Sequence, residues 1–264
     1  MITVGQVLTF LNTLAPPSMK MDWDNVGLLC GDKNTPVTKI LVALDPFYHV
    51  CREAEEIGAQ LIVTHHPIIF RPLTHLTAED ATSRGIMFLC SKGISAINAH
   101  TNLDQAPGGV NDALAAALGL QDVQVLNPAG TDGMGRPWGL LRVGAVEKQP
   151  LEDFLRLVKE RLGCPGLRYT QGEGSVHRVA VGGGSCGSAL PLVAAAGCDT
   201  FVTADVKYND FWLAQEQGIH LIDAGHFYTE NPVCTFLQQA LQGKFPELSV
   251  VLSQSHRDCT NFFL

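Results

Sequence analysis

Twice in this chain a short, wholly apolar strand is followed by a helix and then by a second apolar strand. Ile40-Leu41-Val42-Ala43-Leu44 and Leu61-Ile62-Val63-Thr64 flank a helical pattern over 49–58, and a third strand runs from Ile94 to Ala99 after a helix at 84–92. Arg178-Val179-Ala180-Val181, Thr200-Phe201-Val202-Thr203 and His220-Leu221-Ile222-Asp223 repeat the arrangement, with helices at 189–196 and 209–217 between them. Strands that are apolar on both faces require a sheet covered on both sides, which is the signature of parallel α/β layers. The span from Ile40 to Thr64 equals that from Val179 to Thr203, and Gly93-Ile94 is echoed by Gly218-Ile219. This reads as a diverged internal duplication. The expected fold is α/β, with two sheets related by the duplication and a site in the cleft between them.

The flanking segments complete that plan. Thr3 and Gln6 form a capping box ahead of Val4, Val7, Leu8, Leu11 and Leu14 at helical spacing, and Pro16-Pro17 ends the helix. Residues 127–178 differ in texture: Gly- and Pro-rich turns, a strand at 138–146, a helix with Pro150 near its first turn, and a strand at 167–171. The expected lobes are therefore 1–126 plus 227–264, and 127–226, with no inserted third domain.

Composition excludes several classes. With 26 acidic against 18 basic residues, a net charge of −8, the chain lacks the basic face that direct nucleic-acid or membrane-surface binding needs. No apolar stretch reaches the ~20 residues of a bilayer span, and Met1-Ile2-Thr3-Val4 lacks the layout of a signal peptide. The eight cysteines are scattered with no Cys-x-x-Cys pair, as expected of reduced, mostly buried thiols. The expected compartment is the cytoplasm.

Chemistry is expected where strands run out, because ligands of open α/β sheets bind beyond the carboxyl ends of strands. His65 and His66 follow one strand, His100 to Asp104 another, and His226 to Glu230 follows the strand ending at Asp223. On an extended backbone the two adjacent imidazoles would diverge, so each would serve a different one of two neighbouring ions. His65, His66, Asp104, His226 and Glu230 make a plausible shell for two divalent cations, and a thiolate-free set of this kind suits Zn, Fe or Mn. Such a pair can deprotonate a water and clamp a hydrolytic transition state. Asp24, Asp45, Asp205 and Asp223 are candidates to orient the imidazoles, and His100 is near enough to Asp104 either to support that ligand or to act as general acid or base. His49, His75, His177, His220 and His256 lack this placement.

Four segments closely resemble, in order, the signatures of the Nif-three-like (Ngg-one-interacting-factor-three-like) family of dinuclear metal-centre proteins. They are Trp23-Asp24-Asn25-Val26-Gly27-Leu28, Thr64-His65-His66-Pro67, His100-Thr101-Asn102-Leu103-Asp104, and Asp223-Ala224-Gly225-His226 with Glu230. The resemblance spans residues 5–262. It implies that His65 and Asp104 hold one metal, His66 and His226 the other, and that Glu230 bridges both. It also implies two α/β/α layered lobes with mixed sheets, a metal site in the interlobe cleft, and a toroidal homohexamer with its metal sites facing an internal cavity. The family's frequent label, GTP cyclohydrolase 1 type 2 homologue, implies a metal-dependent hydrolase acting on a nucleotide-like or other small polar substrate. The sequence departs from the family at Pro46-Phe47 and at Thr260-Asn261-Phe262-Phe263.

Two rival readings come from other classes. One is a non-catalytic metal-binding protein that stores metal, hands it on or regulates a partner. The other is a dinucleotide-dependent oxidoreductase, because Gly182-Gly183-Gly184-Ser185-Cys186-Gly187 matches G-x-G-x-x-G between a strand and a helix. Within that loop Gly184, Ser185 and Gly187 are candidates to bind an anion or phosphate.

Overall fold

The computed structural model describes residues 1–263. In chain order its strands are β1 (Gly27–Cys30), β2 (Lys39–Ala43), β3 (Leu61–Thr64), β4 (Ser95–Asn98), β5 (Gln121–Leu126), β6 (Gly130–Thr131) and β7 (Pro137–Trp138). They continue as β8 (Leu141–Gln149), β9 (Arg168–Thr170), β10 (Val176–Val181), β11 (Thr200–Thr203), β12 (His220–Asp223) and β13 (Ser249–Leu252). The helices are α1 (Val4–Leu14), α2 (Tyr48–Glu56), α3 (Ala81–Lys92), α4 (Thr101–Gln105) and α5 (Val110–Leu118). After them come α6 (Leu151–Leu162), α7 (Leu190–Ala195), α8 (Tyr208–Glu216), α9 (His226–Glu230) and α10 (Pro232–Lys244). The chain is a mixed α/β fold that divides into two units, Met1–Ala106 with Val233–Arg257, and Pro107–Pro232 with Asp258–Leu264. The division read from sequence lies at 126/127 and 226/227. The contact division instead assigns α5 and β5 to the second unit, where α5 packs on α6 and β8 and β5 pairs with β8.

The first unit carries a five-stranded sheet in the order β1-β4-β3-β2-β13. All its neighbours run parallel except β1, which pairs antiparallel with β4 at the edge. Residues of β2, β3 and β4 are nearly all buried, as unbroken apolar runs require when both faces of a sheet are covered. Leu41, Ile62, Cys51, Ala54, Ile86 and Leu89 join β2, β3, α2 and α3 in one core. The Thr3–Gln6 capping box forms as expected. Helix α3 starts three residues earlier than the sequence suggests, because Asp80 caps it by accepting from the Ser83 N–H at 2.7 Å.

The second unit holds a six-stranded sheet, β5-β8-β10-β11-β12-β9, in which β10, β11 and β12 are parallel and the flanking pairs antiparallel. The small β6–β7 hairpin stands apart from that sheet. One face of the sheet is covered by α6, whose Leu151, Phe154 and Val158 are buried against Val179, Val181 and Val202. Burial of a side chain such as Phe154 is worth about 1.5–3 kcal/mol. In each unit three adjacent parallel strands are joined through helices, and polar residues gather just past their carboxyl ends.

Candidate metal centre

In the first unit the site begins where β3 and β4 end. β3 stops at Thr64, and the chain bends at His65 and His66. The Thr64 hydroxyl donates to the His66 carbonyl (2.7 Å), and the His66 N–H donates to the Leu44 carbonyl (2.9 Å). The extended backbone that would send adjacent side chains to opposite faces is therefore absent here. The His65 and His66 ring centroids lie 4.8 Å apart, and those of His65 and His100 5.2 Å apart. Ligand atoms of His65, His66 and His100 all fall within 4.8 Å of one another.

Each ring is held by its Nδ1. His65, fully buried, has Nδ1 2.9 Å from the Ala99 carbonyl. A carbonyl only accepts, so Nδ1 carries the proton and the neutral ring presents the Nε2 lone pair. That Nε2 stands 3.5 Å from the carboxylate of Asp104 on α4. His66 Nδ1 is 2.7 Å from Asp45, and His100 Nδ1 is 2.7 Å from Asp24. Outer carboxylates and carbonyls of this kind fix ring orientation and raise ligand basicity at metal sites.

Asp24 is set firmly. It accepts from the Thr101 N–H (3.0 Å), from the Thr101 hydroxyl and from the Asn25 N–H (2.8 Å). Burial alone would raise its pKa, but the hydrogen bonds from His100 and Thr101 outweigh that effect and hold the carboxyl well below the usual range. Asn25 donates to the Ile69 carbonyl (2.7 Å) and so ties the segment to the loop after His66. This mount carries two exposed rings, Trp23 and Phe70, 62% and 49% accessible. Their centroids are 5.8 Å apart, and each lies within 6.2 Å of His100.

The second unit builds its part on α9. One helical turn separates His226 from Glu230, so both side chains share a face, and His226 Nε2 is 3.0 Å from Glu230 Oε2. His226 Nδ1 is 2.7 Å from Asp205. Asp205 adopts φ +51°, the left-handed region that a non-glycine residue enters at a cost of about 1–3 kcal/mol, and its carboxylate orients the ring from there. A deprotonated Nε2 and a carboxylate oxygen are both electron-pair donors. They can sit side by side only with a proton or a cation between them, and the same holds for His65 and Asp104. The donor set in each unit thus suits a divalent metal.

The Gly-rich loop after β10 packs against Glu230. A Cβ on Gly184 (φ +63°) would stand 2.1 Å from Glu230 Oε1, and one on Gly183 would stand 3.2 Å from its Cγ. The N–H groups of Gly183, Gly184 and Cys186 are donated to Asn111, Thr229 and Thr203. Only a 3₁₀ turn, Gly187–Ala189, and the six-residue α7 follow.

Of the aspartates singled out in the sequence, Asp24, Asp45 and Asp205 hold imidazoles. Asp223 instead accepts from the Arg168 guanidinium and from the Val206 and Gly225 N–H groups. His220 and His256 accept backbone N–H bonds from Gly172 and Leu44 (2.9 and 3.1 Å), and burial lowers the pKa of both. Sequence reasoning missed the Ala99 carbonyl, which no side-chain pattern reveals. It also missed Trp23 and Phe70 beside His100, although the Trp-Asp-Asn segment hinted at the first.

The chain is, by class, an α/β protein whose strand ends carry carboxylate-backed imidazoles that could hold a metal ion. Its backbone superimposes on a Bacillus cereus protein related to NIF3 with a TM-score of 0.93, at 25% identity and 99% coverage of each chain. A Clostridium perfringens protein named GTP cyclohydrolase 1 type 2 homolog is 31% identical over 98% of this chain and 99% of its own length. A Helicobacter pylori protein named GTP cyclohydrolase 1 type 2 is 31% identical over 91% of this chain and 92% of its own. The family model Duf34/NIF3 (NGG1p interacting factor 3) matches residues 2–259, and the chain belongs to that family. Among the described residues no helix is long and apolar enough to cross a membrane.

Proposed function

We propose that the chain is a metal-dependent hydrolase with a dinuclear centre, acting on a nucleotide-like substrate. In this reading His65 and Asp104 would hold one divalent cation, His66 and His226 the other, and Glu230 would serve both. Zn, Fe and Mn all suit imidazole and carboxylate ligands. Such a pair, when bound, supplies Lewis acidity and makes a water acidic enough to attack at neutral pH. The chain's own residues do the rest. Asp45, Asp205 and the Ala99 carbonyl keep three imidazoles in the tautomer that offers Nε2. His100, held by Asp24 on Nδ1, keeps its Nε2 to move a proton between water and leaving group. The relatives' names supply the substrate class, a purine nucleotide whose ring would be opened by water. A homohexamer belongs to the same reading.

The observation that carries the proposal is the repeated pinning of imidazole Nδ1 in both units, with Nε2 beside a carboxylate at 3.5 Å in one and 3.0 Å in the other. The test is steady-state turnover of GTP by metal-loaded and metal-stripped protein, alongside elemental analysis. Activity that returns with metal, and falls in His100→Ala while metal is retained, supports a hydrolase.

A non-catalytic role in metal storage or transfer is the second reading. It is favoured by the exposure of the His226–Asp205 pair, 38% and 53% accessible, which would let a ligand exchange readily. Full metal occupancy with no turnover would select it. The dinucleotide reading has less to work with, because three N–H groups of the Gly-rich loop are already donated within the protein.

A further inference from the structure

The sulfur atoms of Cys30 and Cys90 lie 3.4 Å apart, although 60 positions separate the residues in the chain. Cys30 is the buried last residue of β1, and Cys90 sits on α3 with its residue exposed. A disulfide needs a sulfur–sulfur distance of about 2.05 Å. β1 is a four-residue edge strand that, among the described residues, pairs with β4 alone, so the element that must give way is a short one at the sheet's edge.

We propose that Cys30 and Cys90 form a redox-modification site, closing to an intramolecular disulfide when Cys90 meets a two-electron oxidant of the peroxide class. The exposed Cys90 reacts first. Its thiolate attacks one peroxide oxygen, the O–O bond breaks, and Cys90 becomes a sulfenic acid while hydroxide leaves and is protonated to water. The Cys30 sulfur then attacks the Cys90 sulfur, loses its proton and expels hydroxide as a second water. In sum, two thiols and one peroxide give one disulfide and two waters.

The order of events follows from the surroundings. Burial, together with the hydrogen bond to Cys90 and the charge there, pushes the Cys30 thiol up to about 12. Cys30 is therefore a poor first nucleophile against solvent oxidant. Once Cys90 is a sulfenic acid the charge of its thiolate is gone, and its sulfur lies beside that of Cys30. The bridge staples β1 to α3. The chain entering β1 includes Asp24 and Asn25, which hold His100 and the Ile69 carbonyl, so the staple anchors the segment on which that imidazole depends.

The test treats the intact protein with hydrogen peroxide, blocks free thiols, and maps peptides without reduction. The expected product is a cross-linked peptide pair containing Cys30 and Cys90, lighter by two hydrogens and reversed by dithiothreitol. Dimedone added early should label Cys90. Cys90→Ser, a surface change, should abolish the cross-link without altering the melting temperature of the untreated protein. Cys30→Ser should leave Cys90 to oxidise further. The proposal is overturned if Cys90 goes to sulfinic acid with Cys30 still a free thiol, if Cys90 pairs with the other exposed cysteine, Cys259, or if peroxide leaves Cys90 unmodified.

Discussion

His65 in the first unit and His226 in the second present the same atom to the same kind of partner: Nε2 faces a carboxylate oxygen at 3.5 Å and at 3.0 Å. They differ in setting. His65 is fully buried with Nδ1 on a backbone carbonyl, whereas His226 is 38% exposed and leans on Asp205, itself 53% exposed. Orientation of a ligand thus does not need burial, since one well-placed acceptor suffices. The difference lies in what else holds the ring. Strand ends and packed neighbours hold His65, while one helical turn and a residue in the left-handed region hold His226. The first arrangement should be the stiffer and the second the more readily exchanged.

The largest expected effect comes from removing Glu230, the ligand proposed to serve both ions. Glu230→Ala should release both ions, whereas His65→Ala or Asp104→Ala should spare the ion assigned to His66 and His226; elemental analysis of each variant separates the outcomes. Gly184→Ala should disturb the same Glu230 carboxylate from the backbone side. Its Cβ would meet Glu230 Oε1 at 2.1 Å, and φ +63° adds strain of about 1–3 kcal/mol. A lowered melting temperature and weakened metal binding would report both. Replacing the outer carboxylates sharpens the contrast: Asp45→Asn and Asp205→Asn should each weaken metal affinity by about 10–100-fold. The more sheltered Asp45 should show the greater loss in a competition titration with a chelator. Next, His100→Ala should lower GTP turnover by about 10²-fold or more with metal content unchanged, so an equal fall in both would remove His100 from proton transfer.

The smallest effect concerns acid stability. Burial lowers the pKa of His220 in the second unit and of His256 in the first. The unfolded chain therefore binds protons more readily at these sites, and stability is lost as pH falls from about 6.5 through the folded values. Melting temperatures measured between pH 7 and pH 5 should drop, and His220→Asn or His256→Asn should each flatten part of the slope.

Much of this architecture could be read from the chain because parallel strands buried on both faces declare themselves as apolar runs. The Thr3–Gln6 cap and the single turn from His226 to Glu230 were legible for the same reason, being local in sequence. β5 was not, because Gln121-Asp122-Val123-Gln124 is an exposed stretch with no alternation to detect. The start of α3 depended on Asp80 as a cap, a residue that also fits an ordinary loop. At the site, residue types and spacing pointed to His65, His66, Asp104, His226 and Glu230. The bend that turns the His65 and His66 rings toward each other depends on the bonds of Thr64 and Leu44, and the ring partners come from residues distant in sequence. The Gly-rich loop shows the converse. Its glycines resemble a phosphate fingerprint, yet Gly183 and Gly184 are also what lets the backbone pass close to Glu230.

Metal content of protein purified without a chelating tag tests the central claim most directly, read by elemental analysis for the unaltered chain, His66→Ala and Glu230→Ala. The account predicts about two divalent ions per chain, as a dinuclear hydrolytic centre requires, with loss in both variants. A chain that takes up no divalent ion, or keeps its full complement in both variants, would contradict it.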